Sequence, residues 1–149
     1  MRIEKATIMD LAALRALEKV CFPLDAWPLL DLIGVLSMPG VLRLKAVEDG
    51  QMAGFAAVDP RSSEGVSWIA TIGVLPRYQG RGYGRALLQA CEERVSTPLI
   101  KLCVRPENEA AIGLYRSFGY QVIDTWRYYY NDGSDGLIMQ KSRTPDKQL

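Results

Sequence analysis

Residues 76–88, PRYQGRGYGRALL, place glycines at 80, 82 and 84 just ahead of a run with helical spacing. A strand-like run, Val66 to Val74, comes just before them. A glycine inside a helix costs about 1 kcal/mol relative to alanine, so three at alternate positions point to a place where the backbone itself is needed. A helix start leaves four N–H groups unpaired and carries the positive end of the helix dipole. Glycines let a phosphate approach that backbone closely and permit positive φ. Arg77, Arg81 and Arg85 add charge around the same turn. The segment therefore predicts strand, anion-binding turn and helix in succession, suited to a pyrophosphate.

The rest of the chain supplies the frame. With 149 residues it fits one domain, expected over residues 1–142 with a polar tail at 143–149. RIEKAT reads as a strand. Thr7 caps a helix, supported by Asp10, with Leu11, Leu14, Leu17 and Cys21 at helical spacing. DAWPLLDLIGVLSM predicts a second, apolar helix that includes Trp27. Val41 to Glu48 and Gln51 to Val58 form a hairpin about Asp49-Gly50, and PRSSEG is a loop. After the glycine turn a helix runs to about Val95. A strand follows at Ile100 to Arg105 and a helix at Asn108 to Phe118. Strands are expected at Tyr120 to Tyr130 and Leu137 to Lys141. The order β-α-α-β-β-β-α-β-α-β-β describes an α/β fold with a mixed sheet and helices on both faces.

Composition excludes several functions. A net charge of +1 gives no field for nucleic acid or a membrane surface. Three cysteines without a CxxC pair argue against a disulfide framework or a metal site and suit a reducing compartment. Histidine is absent, which removes Ser-His-Asp and Cys-His catalysis. The amino terminus lacks a signal-peptide pattern and no stretch reaches about 18 apolar residues. A cytoplasmic protein is expected.

Among phosphate ligands, a nucleotide in a Walker loop needs GK[ST], which is missing, and a dinucleotide needs GxGxxG with a downstream acid. The pattern Gln79-x-x-Gly82-x-Gly84 instead resembles the acetyl-coenzyme A signature of the GNAT superfamily of N-acetyltransferases, across VLPRYQGRGYGRALL. VRPENEAAIGLYRSFGY resembles the family's next block, extending the likeness over roughly residues 66–141. The resemblance implies a mostly antiparallel sheet with one splayed parallel pair. It implies acetyl-CoA as cofactor, its pantetheine arm bound by the main chain of Ile72 and Val74. Gln79, Gly80, Arg81, Gly82, Tyr83, Gly84 and Arg85 would hold the phosphates, and Asn108 would face the cofactor. From sequence alone, Asn108 reads equally as a helix N-cap, Tyr115 as a core tyrosine and Gly73 as a packing glycine. With the resemblance, Tyr115 becomes the acid that protonates the leaving thiolate.

WRYYYNDGSDGLIM resembles the aromatic hairpin of peptide N-terminal acetyltransferases, including the ribosomal-protein-alanine branch. Tyr128, Tyr129 and Tyr130 would then bind the acceptor, with Trp27 lining the same groove or anchoring its helix. Similar chains often carry a glutamate base where this one has Cys103. Other bases are Glu64, Asp59, a tyrosine of 128–130 or water, and Cys103 could itself take the acetyl group. At pH 7 an α-amine is about 14% neutral and a lysine amine about 0.04%, so a weak base favours an α-amine. The expected activity is direct acetyl transfer to a protein or peptide N-terminus, by a monomer or homodimer. A small-molecule amine acceptor and an idle CoA-binding sensor are the alternatives.

Overall fold

The computed structural model describes residues 1–143; most of the expected tail, from 144 on, lies outside the described residues. The elements follow the expected order. They are β1 (Arg2–Lys5), α1 (Leu11–Cys21), α2 (Leu29–Ser37), β2 (Leu42–Glu48), β3 (Gln51–Arg61) and β4 (Val66–Val74), then α3 (Tyr83–Arg94), β5 (Leu99–Val104), α4 (Glu109–Ser117), β6 (Gln121–Trp126) and β7 (Gly136–Ser142). The strands hydrogen-bond in the order β1-β2-β3-β4-β5-β7-β6. The β4–β5 pair is parallel, with Val66 to Ile69 opposite Leu99 to Leu102, and β4 runs on to Val74. The pairs β1–β2, β2–β3, β5–β7 and β6–β7 are antiparallel. The chain divides into two compact units, one of Met1–Asp59 with Ala70–Val95, the other of Pro60–Ile69 with the residues from Ser96 on.

In the first unit, Thr7 and Asp10 form a capping box that satisfies backbone N–H groups at the start of a 3-10 turn, and α1 follows directly. Lys45 on β2 holds the Asp10 carboxylate at 2.7 Å. Leu14 and Leu17 of α1 and Leu32 and Leu36 of α2 bury against Phe55 and Ala57 of β3. Strand β3 is buried without a break from Met52 to Val58, the pattern of a strand covered on both faces. Ala46 pairs with Gly54 but Val47 with Met52, so Ala53 is an extra residue in the ladder. That bulge turns Met52 to the same side as Phe55, which is why both join one cluster. Gly54 faces the other way, toward Leu87 of α3.

Helix α2 starts later than its apolar run suggests. Pro28 occupies the N-cap at φ −58° and ψ 155°, and the residue before a proline is steered out of helical conformation. Trp27 therefore lies in the α1–α2 loop and not in a helix.

In the second unit β5 alternates, with Ile100, Leu102 and Val104 buried and Lys101, Cys103 and Arg105 on the other side. Ser67 and Thr97 are both buried and satisfy each other at 2.8 Å, while Thr97 also donates to the Leu99 carbonyl. The strand expected over 120–130 stops at Trp126. Tyr128 has φ +54°, which no strand accommodates, and its N–H donates to the Asp135 carboxylate. The Tyr130 amide donates to the Ser134 carbonyl and the Gly133 amide to the Tyr130 carbonyl, closing a turn. Tyr128, Tyr129 and Tyr130 thus belong to a loop.

A Cβ on Gly54 would lie 2.9 Å from Leu87 Cδ1 and 3.0 Å from the Gly73 carbonyl oxygen. Backbone cannot yield as a flexible side chain does, so Gly54→Val should cost about 1–3 kcal/mol, read as a lower urea midpoint.

Candidate active site

In the first unit the end of β4 leads into the glycine turn. A proline-led 3-10 turn, Pro76–Tyr78, ends the strand, and the Leu75 amide pairs with the Ala53 carbonyl at 2.9 Å. Gly80 and Gly82 have φ of +78° and +89°, and a Cβ on either would meet nothing within 4 Å. These glycines are required by backbone conformation, and the space beside them is open. Gly82 is the N-cap of α3, whose first residues are Tyr83, Gly84 and Arg85. Arg77 and Arg81 lie over the Tyr78 ring, at 5.1 and 5.8 Å from its centre. An uncovered glycine turn, a helix N-terminus and nearby guanidinium groups suit a diphosphate. The Tyr83 side chain departs from a ligand-facing role. It is buried, stacked edge-on against Tyr78 at 5.5 Å and bonded to Glu48, so only its main chain is available at the turn.

Strand β4 itself is gripped by α1. Gln79 Nε2 donates to the Val74 carbonyl at 3.0 Å, and Cys21 Sγ donates to the same oxygen at 3.4 Å. The Phe22 ring packs on Gly73, where a Cβ would stand 3.1 Å from it. The close approach that Gly73 permits is thus made by α1. Thr71 Oγ1 donates to Glu18 Oε2 at 3.3 Å, and the Trp27 amide donates to Glu18 Oε1 at 3.3 Å. Trp27 also packs against the core cluster. Glu18 is only 1% exposed, and burial pushes its carboxyl above the usual range despite the two donors. Sequence reasoning passed over Glu18. The signal was its place one helical turn after Leu14, on the apolar face of α1.

In the second unit Asn108 is the N-cap of α4, its Oδ1 accepting from the Ala111 amide at 3.2 Å. Its side-chain oxygen is therefore engaged in capping. Tyr115 is 5% exposed, on the buried side of α4, with its ring 5.8 Å from that of Tyr120. The loop after β6 is held by Arg105. Its guanidinium reaches the Asp132 carboxylate at 3.1 and 3.3 Å, Glu107 at 3.3 Å and the face of Tyr130 at 4.2 Å. Asp132 accepts from the Ser134 amide as well. Tyr129 stacks edge-on with Tyr130 and tilts against Trp126, which in turn meets Trp68. Tyr128 and Tyr129 remain 76% and 50% exposed, available to a binding partner.

Cys103 Sγ lies 3.7 Å from the Tyr130 hydroxyl. Burial raises its pKa, and the hydrogen bond to Tyr130 only partly offsets this. A raised pKa keeps the group a thiol, the unreactive form, which argues against acyl transfer through Cys103. Gly136 packs directly on Cys103 and on Tyr129. Among the bases considered from sequence, Glu64 lies in the 3-10 turn Ser62–Glu64 and Asp59 on β3.

Comparison with known proteins fits this geometry. A model of the acetyltransferase (GNAT) family matches residues 11–120. The chain is 35% identical over 120 residues to the N-alpha-acetyltransferase RimI of Mycobacterium tuberculosis, covering 78% of this chain and 76% of that one. It is 33% identical over 110 residues to the putative bS18-alanine N-acetyltransferase of Bacillus subtilis, covering 70% and 71%. The crystal structure of the ribosomal-protein-S18-alanine N-acetyltransferase of Escherichia coli superposes with a TM-score of 0.86 at 29% identity, covering 99% of this chain and 97% of that one. The fold and the glycine turn define an acyltransferase that takes its acyl group from acetyl-CoA. The chain belongs to the GNAT family of N-acetyltransferases.

The Arg105 guanidinium, with help from the Ser134 amide, holds the Asp132 carboxyl below the usual range. A group with a lowered folded pKa stabilises above its unfolded pKa and stops doing so as pH falls through the folded one. The loop at 127–135 should therefore loosen below about pH 4, seen as a change in the near-UV signal of its tyrosines. Asp132→Asn should show a loosened signal already at pH 7 and a smaller acid transition in it.

Proposed function

We propose that this chain acetylates the α-amine of a protein or peptide N-terminus by direct attack, with donor and acceptor bound together. What carries this reading most is Cys103. Where the family resemblance implies a carboxylate base, this chain holds a half-buried thiol against Tyr130 and Gly136. Without a strong base the acceptor must be partly neutral already, and an α-amine exceeds a lysine in neutral fraction by a few hundredfold, about 14% against about 0.04% at pH 7. The relatives named for N-alpha- and ribosomal-protein-alanine acetylation support the same class of acceptor.

Bound acetyl-CoA supplies an acetyl thioester. The amides of the turn from Gln79 to Arg85 would hold its diphosphate, with Arg77 and Arg81 adding charge. The Val74 N–H is the group we assign to the developing oxyanion, on the family resemblance; the carbonyl of the same residue is held by Gln79 and Cys21. Ile72 would take part through its main chain and Asn108 through its amide nitrogen. Tyr115 Oη would deliver a proton to the leaving sulfur. A tyrosine hydroxyl at about 10 gives a proton to a thiolate at about 8.5 only mildly uphill. Exposed Tyr128 and Tyr129 would bind the acceptor backbone, with Tyr130 supporting them, and Trp27 is a further acceptor-binding residue in this reading. The three free cysteines suit the reducing cytoplasm.

The test is turnover, followed by thiol release, on peptides of varied first residue alongside free amines and amino acids. Peptide α-amines should be the best acceptors. Faster turnover of a free amine would transfer the function to small-molecule acetylation. Acetyl-CoA binding with no turnover on any acceptor would make the chain a sensor. Tyr115→Phe should lower kcat by about a hundredfold with unchanged acetyl-CoA affinity, and an unchanged kcat would remove the hydroxyl from the mechanism. Gly82→Val places a β-branched residue at φ +89° and should abolish acetyl-CoA binding in calorimetry while the chain still folds.

A further inference from the structure

Glu18 is the charged member of the buried set among the described residues, 1% exposed and placed beside the apolar cluster of α1, α2 and β3. Removing a carboxyl from water costs far more than two neutral hydrogen bonds return, and an apolar side chain of similar size would stabilise such a site better. Its retention needs a reason other than stability. The geometry supplies one. One oxygen takes the Trp27 amide, in the loop between α1 and α2, and the other takes the Thr71 hydroxyl, on β4 next to Ile72. One helical turn on, Cys21 and Phe22 fix Val74 and Gly73 of the same strand. The Trp27 amide stands ahead of Pro28, where no helix can absorb it.

We propose that Glu18 is a positioning residue for acetyl transfer, a buried bracket that sets the acceptor-side loop carrying Trp27 against the strand that carries Ile72 and Val74. This rests on the function proposed above. Glu18 does not itself handle a proton of the reaction, because both its oxygens are spent on fixed donors. An amide can make the same pair of contacts. Its oxygen takes the Trp27 N–H, and its NH2 donates to Thr71 Oγ1 after the hydroxyl rotates. Leucine can make neither.

Glu18→Leu, Glu18→Gln and Thr71→Val would be compared in hydrogen exchange of the Trp27 amide, in thermal unfolding and in steady-state kinetics with the best peptide acceptor. In Glu18→Leu the Trp27 amide should exchange about five- to tenfold faster, as expected for one lost hydrogen bond, with no fall in Tm. The acceptor KM should rise by a similar factor while the acetyl-CoA KM stays put. Glu18→Gln should recover most of both the protection and the acceptor KM. Thr71→Val, which breaks one contact only and should fold whatever happens to Glu18→Leu, should give a smaller rise in acceptor KM. Wild-type exchange at Trp27 in folded Glu18→Leu, or an unchanged acceptor KM there and in Thr71→Val, would overturn the bracket. A Glu18→Gln variant as impaired as Glu18→Leu would overturn positioning in favour of a role for the charge. Absence of turnover by the unsubstituted chain would sink the transfer reading and the kinetic half of this inference, whereas the exchange result tests the bracket without it.

Discussion

The grip of α1 on the end of β4 is the constraint on which the chemistry proposed for the first unit rests. Three residues at the end of the helix meet three points of the strand. The Glu18 carboxyl holds Thr71, the Phe22 ring packs on Gly73 and the Cys21 thiol donates to the Val74 carbonyl. The strand cannot shift along its length without breaking all three. Its far end is then fixed for the turn that follows, where Gln79 closes back on the same carbonyl. A glycine-rich turn is the most permissive backbone available. Its usefulness for binding depends on rigid neighbours, since an anion cradle that must order itself on each encounter loses affinity to that ordering. Here the strand end, the proline-led 3-10 turn and the helix N-cap at Gly82 confine the permissive residues to a short span.

The second unit solves a similar problem with charge. The loop after β6 has few buried contacts, and two of its tyrosines face solvent. Arg105 compensates by using its planar group twice, on the Asp132 carboxylate through two nitrogens and on the Tyr130 face. An isolated surface ion pair is worth little. This one is different in kind, because the arginine side chain is only 12% exposed and the carboxylate also caps the turn at Ser134. The order it imposes extends through stacked rings from Tyr130 to Tyr129, Trp126 and Trp68.

Much of this was legible in the sequence, for reasons that differ by element. The order of strands and helices showed because the alternation of β5 and the 3.6 spacing of α1 are local patterns. The glycine turn showed because three adverse glycines at a helix start mark a backbone that must bend to positive φ or be approached closely. The boundaries at Pro28 and Tyr128 did not show. An apolar run continued across Pro28, and an aromatic run continued across Tyr128. In each case backbone restriction, a proline at the N-cap and a positive φ at a tyrosine, overrode a side-chain pattern. Tyr83 sits within the motif yet its ring turns inward to Tyr78 and Glu48. A motif specifies where the backbone goes and leaves each side chain to its neighbours. Glu18 was missed because its meaning depends on Thr71, 53 positions away, and no local pattern holds a contact of that range.

The absence of histidine and the thiol at 103 together limit what acid–base chemistry this chain can do. Burial keeps Cys103 a thiol, and the Glu18 carboxyl is already committed to the Trp27 amide and the Thr71 hydroxyl. On the function proposed above, such groups would be poor at taking a proton from an ammonium ion of ordinary lysine pKa and better suited to an acceptor that arrives partly neutral. Selection of the acceptor would then lie partly in its own pKa. In that proposed function the fixed strand end and the bracketed Trp27 loop of the first unit would serve to place the amine. A Cβ on Gly136 would collide with Cys103 Sγ and crowd the Tyr129 ring, so the thiol and the glycine are fitted to each other.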